Sequence, residues 1–137
     1  MNIKMQDYNL LSYFHDAVLL NTLFYINNGD GYRYLKMTIR CNRDCEYEDF
    51  SGKTVDLLFI DTLIVKGTLL GHMVGNEYVN FMEPKLSPEV EEFIAEMVKS
   101  GVAAPREKMT VVLHSGSEIS IACDRIEITV LDQNRVN

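Results

Sequence analysis

His15 and Asp16 are the only adjacent histidine–aspartate pair in the chain, and no other local pairing is better suited to chemistry. In metal-dependent phosphohydrolases a histidine and an aspartate share a metal with further His and Asp ligands carried on helices. Here the pair stands just ahead of a strand-like run. The other histidines, His72 and His114, fall in a turn or at a strand end, and no HxH or HExxH spacing occurs. The pair therefore reads in two ways. It could serve a polar site in a cleft at one end of a sheet, with His72 contributing. Alternatively, Asp16 caps the turn into the strand while His15 packs or hydrogen-bonds locally.

The remaining reactive residues argue against catalysis. Three cysteines are an odd number, and with only Cys41 and Cys45 close together they suit reduced thiols rather than a disulfide frame. A structural zinc site needs four ligands, usually with tighter pair spacing. Cys123 as a nucleophile would need a base and an oxyanion hole, which Asp124 and Arg125 do not supply, whereas its alternation with Ile119 and Ile121 suits a core thiol. GxSxG, P-loop and GxGxxG motifs are absent, and Gly29-Asp30-Gly31 is a turn. Residues 44–49 lack the glycine and terminal bidentate glutamate of a calcium loop. No cofactor, metal or enzymatic activity is expected. What residues 42–52 do offer is concentrated negative charge, with Asp44, Glu46, Glu48 and Asp49 set around Tyr47 and Phe50 in a polar loop.

The elements that would carry these residues follow from periodicity. Residues 55–70 are the apolar centre, with Val55, Leu57, Phe59, Leu63, Val65 and Leu69 on the odd, core-facing positions of an extended chain. Asp61 would be buried unpaired if the strand ran straight through, so a bend or turn is expected at 60–63. Residues 1–13 have no firm period. A strand from Val18 to Ile26, a turn at 27–31 and a strand over 32–41 make one hairpin. Residues 77–82 form a short strand. Residues 109–113 and 119–123 make a second hairpin about His114-Ser115-Gly116-Ser117. After Cys123 the apolar phase switches from odd to even, as one extra residue in a continuing strand would produce. Between the sheet-forming parts, Ser87 and Pro88 start a helix that Gly101 ends, with Val90, Phe93, Ile94, Met97 and Val98 as its apolar stripe. The sum is a single α+β domain over residues 1–137. It is mainly antiparallel β, a sandwich or partly closed barrel of about six to eight strands, with one amphipathic helix.

Composition bounds the partners. The chain has 137 residues, 47% of them apolar, and a net charge of −7. Such a field repels nucleic acid and anionic lipid and favours a basic protein partner. The sequence shows no signal-like start and no membrane-length apolar run, so a cytoplasmic location is expected.

One pattern crosses these elements: Phe14-His15-Asp16-Ala17 opening a strand, Leu57-x-Phe59 followed by Leu63-x-Val65-x-Gly67, then Ile121-x-Cys123-x-x-Ile126-x-Ile128. It resembles a group of small bacterial proteins that includes immunity proteins of polymorphic-toxin systems. The chain departs from that pattern at Val18, where an acidic residue is expected, and in the helix from Ser87, which reads as an insertion. The resemblance implies a protein that binds and blocks a toxin without doing chemistry. Asp44, Glu46, Tyr47, Glu48 and Asp49 would then face the partner, Tyr47 as anchor and the carboxylates as steering charge. The alternatives are a structural or homodimeric β module, sealed along a sheet edge or through the helix, and a small ligand-binding or hydrolytic protein using His15 and Asp16.

Overall fold

The computed structural model of the protein describes residues 2–4, 12–68 and 77–131. Among these the elements run β1 (Asn2–Lys4), β2 (Val18–Ile26), β3 (Arg33–Arg40), β4 (Thr54–Ile60), β5 (Ile64–Thr68), β6 (Glu77–Glu83), α1 (Pro88–Lys99), β7 (Glu107–Leu113), β8 (Glu118–Cys123) and β9 (Arg125–Val130). The strands form one antiparallel sheet in the order β1-β9-β4-β3-β2-β6-β7-β8-β5, and it is not closed, since β1 and β5 end it. The architecture is the expected one, mainly antiparallel with a single helix. Two strands go beyond those expected: β1, three residues long in a stretch whose sequence carries no period, and β9, separate from β8.

The sheet folds over at its middle. β2 and β6 share only the pairs Val18↔Tyr78 and Leu19↔Glu77, so the ladder there is too short to hold the two halves flat. Leu35, Met37, Val55, Leu57, Phe59, Ile126 and Ile128 from one half meet Val79, Met109, Val111, Leu113, Ile121 and Cys123 from the other in a single buried cluster. β4 is central to its half: Leu57 lies opposite Met37 on β3 and Ile128 on β9, and Phe59 opposite Leu35 and Ile126. Burying one such side chain contributes about 1.5–3 kcal/mol, which is why this stretch dominates the pattern.

Two bends carry the chain between halves. Asp61, at φ +55, turns β4 into β5 while its side chain stays exposed, as a carboxylate must when no partner is at hand. Thr62 is buried and donates its hydroxyl to the Phe59 carbonyl at 3.2 Å. The second bend, at Asp124, corrects the expectation of a bulge within one continuing strand: β8 ends in one half and β9 begins in the other. The bends are stitched together, Asp124 N–H to the Ile60 carbonyl at 2.9 Å and Leu63 N–H to the Ala122 carbonyl at 2.8 Å. Beyond Asp61 the odd positions no longer give core. Leu63 is half-buried and Val65 is 40% exposed, because β5 is an end strand paired on one side only. Leu69 lies outside the described residues.

The helix forms as its ends dictate, with Ser87 Oγ accepting from Val90 N–H, Pro88 in the first turn and Gly101 at φ +101 past the last. Its contact is narrower than the five-residue stripe suggests. Val90 and Ile94, with Leu86, pack on Ala122 and Leu63, whereas Phe93 and Val98 are exposed. No helix among the described residues is long and apolar enough to cross a membrane.

Candidate functional site

The turn at residues 12–17 brings the two sequence-predicted sites together. Asp16 occupies the left-handed region at φ +64, uncommon for a residue with a Cβ. Its N–H donates to the Val79 carbonyl at 2.8 Å and Val79 N–H returns a bond to Ala17 at 2.8 Å, which locks the turn onto β6. In that posture Asp16 Oδ1 lies 2.8 Å from His114 Nε2 and Oδ2 3.2 Å from His15 Nδ1. The carboxylate bridges two imidazoles whose ring centres are 6.0 Å apart, and Tyr78 lies edge-on to His114. All three side chains are about half exposed. His72, the partner considered from sequence, lies outside the described residues. His114 takes that role from 98 residues away, at the head of the β7–β8 hairpin. No local sequence signal marks such a pairing.

Each oxygen of Asp16 already serves a different ring, so the three groups do not converge on one point. Among the described residues no group of three His, Cys, Asp or Glu side chains is placed to hold a metal ion. The thiols are no better disposed to react. Burial pushes both Cys41 and Cys123 up to about 12, with Cys45 adding to the first and Glu107 and Asp124 to the second. Cys123 is a core thiol, as its alternation implied.

The acidic loop is built on the same turn. Its ends are closed by Cys41 N–H to the Lys53 carbonyl at 2.9 Å and Gly52 N–H to the Asn42 carbonyl at 3.0 Å. Ser51 Oγ donates across it to the Arg43 carbonyl at 2.7 Å. Asn42 Nδ2 reaches the Asp16 carbonyl at 3.2 Å, which joins loop and turn. Beneath runs an aromatic ladder. Tyr13 stacks on Tyr47 at 5.2 Å, Tyr47 meets Phe50 edge-on at 4.6 Å, and Phe50 stacks on Phe14 at 5.2 Å. Phe14 and Phe50 are fully buried. Tyr47 is half-buried against the core and fastens the loop from inside. Asp44, Glu46, Glu48 and Asp49 are exposed and form no ion pair among the described residues.

These features define a folded, open antiparallel sheet with one helix, bearing a hydrogen-bonded acidic loop beside a His–Asp–His cluster. Compared with family models, with curated proteins and with solved structures, the chain finds no match in any of the three.

Proposed function

We propose that this protein is a non-enzymatic binding module that captures a basic protein partner, as an immunity protein captures a toxin domain, through Asp44, Glu46, Glu48 and Asp49. The observation that carries this reading is the support beneath those carboxylates. Four exposed acidic side chains within six residues sit on a loop whose backbone is closed by hydrogen bonds and whose underside is locked by four rings. A charged surface held in one shape loses little ordering entropy when a partner docks, and the same charge speeds encounter with a basic face. The binding site of a nucleic-acid-cleaving toxin is such a face.

The test is association, in stopped flow, with the toxin domain encoded beside this gene. Neutral amides at Asp44, Glu46, Glu48 and Asp49 should slow the on-rate at low salt by about tenfold or more and leave folding intact. Absence of any toxin gene nearby, or an unchanged on-rate, would remove the proposal.

The bridging of two imidazoles by Asp16 supports a second reading, a small hydrolase or ligand site at His15, Asp16 and His114. A carboxylate that holds one imidazole nitrogen leaves the other nitrogen to act as a general base. Turnover of a phosphomonoester or carboxylester that Asp16→Asn abolishes would establish it. Wild-type inactivity across such substrates would sink it.

A further inference from the structure

The far end of the sheet holds a feature that the acidic loop does not explain. β5 pairs with β8 from Ile64↔Ala122 to Thr68↔Glu118, and among the described residues no strand lies on its other side. A strand edge left open in this way presents unpaired backbone donors and acceptors, which proteins usually block. Here α1 touches the end of the sheet through Val90 and Ile94, which pack with Leu86 on Ala122 and Leu63. Between helix and sheet lies a cleft of about 710 Å³, lined by Leu63, Val65 and Lys66 of the sheet and by Glu89, Glu92, Phe93 and Glu96 on one stripe of the helix.

The cleft's chemistry selects its occupant. On the helix side the apolar lining is uncovered at Phe93, which is 58% exposed, and at the same edge Val65, on the other face of β5, is 40% exposed. Its charge is unbalanced, because Lys66 is taken by Glu89 at 3.3 Å and Glu92 forms no ion pair among the described residues. Glu96 meets only Lys99 of its own helix, at 3.5 Å and with both side chains largely exposed. Glu92 and Glu96 are one helical turn apart, about 6 Å along the axis. Alternate residues of a strand are about 6.8 Å apart. The two periods nearly coincide, so a segment running along the helix can set side chains i and i+2 one against each glutamate.

The register fixes what its other face would meet. Lys66 lies opposite Ser120 and Val65 opposite Ile121, so Lys66 is on the helix side and Val65 on the core side of β5. A strand laid along β5 would therefore set one row of side chains toward Glu92, Phe93 and Glu96, and the alternate row beside Val65.

We propose that this cleft binds an extended peptide segment of a protein partner by strand addition to β5. Basic residues at i and i+2 of the segment face Glu92 and Glu96, and an apolar residue between them covers Val65. Lysine or arginine stems suit Phe93 as well as the carboxylates, since their methylenes cover the ring while the charge remains with the acid groups. A second copy of this chain fits less well, because the β5 edge it could offer brings only Lys66, which is already paired.

The probe is a capped eight-residue peptide in which lysine alternates with valine, titrated into the intact protein and followed through backbone amide NMR. Amide shifts should centre on residues 63–68 and 89–96. A counterpart with glutamate for lysine should bind at least about tenfold more weakly, and E92Q/E96Q, both changes at exposed positions, should weaken the lysine peptide about fivefold or more at low salt. Methylating the peptide backbone nitrogens on one set of alternate residues should abolish binding, while methylating the other set should spare it. The proposal is overturned by shifts centred on residues 44–49, or by no shifts at all. It is equally overturned by indifference to both methylation patterns, which would mean simple charge attraction, or by a peptide-free dimer whose β5 amides are already protected.

Discussion

Removing the Tyr47 ring should weaken the whole domain and loosen the acidic loop together. Tyr47 makes two ring contacts, a stack on Tyr13 at 5.2 Å and an edge contact with Phe50 at 4.6 Å. Each such pair contributes about 0.5–1.5 kcal/mol beyond area burial. Adding the transfer term for a half-buried ring, Tyr47→Ala should cost about 2–4 kcal/mol in urea unfolding with little change in m-value. A domain of ordinary stability, about 5–15 kcal/mol, survives that loss, so the variant stays measurable. The sharper quantity is the coupling. A cycle of Tyr47→Ala, Tyr13→Ala and the double variant should return about 0.5–1.5 kcal/mol for the stack. Hydrogen exchange at residues 44–51 should accelerate in the single variants, because the ladder lies directly beneath them. If the two changes are additive within about 0.3 kcal/mol and loop exchange is unaltered, the rings do not fasten the loop, and the claim of a preorganised acidic surface fails with them.

Other expectations follow from single features. Burial raises Cys41 and Cys123 from 9.0 to about 12, so above pH 9 the unfolded chain sheds thiol protons that the folded chain keeps. Stability should be undiminished by these groups below pH 9 and fall as pH climbs toward 12, by about tenfold in the folding constant per thiol per pH unit. Urea titrations of wild type against C41A/C123A, whose decline should be shallower, check it. Asp61→Val, forced to φ +55, should cost about 1–2 kcal/mol, while Asp61→Asn should be nearly silent in the same assay. Gly101→Ala meets no neighbour within 4 Å but inherits φ +101, and should cost about 1 kcal/mol in thermal unfolding through backbone strain alone. Ser87→Ala removes the oxygen that accepts from Val90 N–H and should cost about 1 kcal/mol, read by the same method.

The elements were legible wherever local chemistry decides them. Ser87, Pro88 and Gly101 mark the helix because capping and positive φ are properties of a few neighbouring residues. Asp61 marks a bend because a lone carboxylate resists burial wherever the strand goes. What periodicity could not reveal is which face receives a cover. Val65 and Phe93 fall in apolar patterns, yet both are exposed, since β5 ends the sheet and α1 touches it through a narrow stripe. The candidate site was half legible. Asp16 and the acidic loop were visible from residue type, but the His114 contact joins residues 98 apart and depends on how the β7–β8 hairpin folds back over the 12–17 turn. Tyr47 is marked in sequence as an aromatic among acids, but its type alone does not show that its ring meets Tyr13 and Phe50.

The place of β9 bears on how the chain is made. It is the last strand in sequence among the described residues, yet it lies inside the sheet, flanked by β4 on one side and β1 on the other. A nascent chain that has emerged from the ribosome as far as β8 therefore has β4 bare along the edge where Val55, Leu57 and Phe59 await their partners. During that interval a strand whose side chains belong to the core is an open template for pairing with other chains. Completion is an insertion rather than an addition: residues 125–130 must pass the corner at Asp124 and slot into a gap. Pairings this remote in sequence form slowly. Translation speed while residues 125–130 are being added, and the holding chaperones present during that interval, therefore bear on yield.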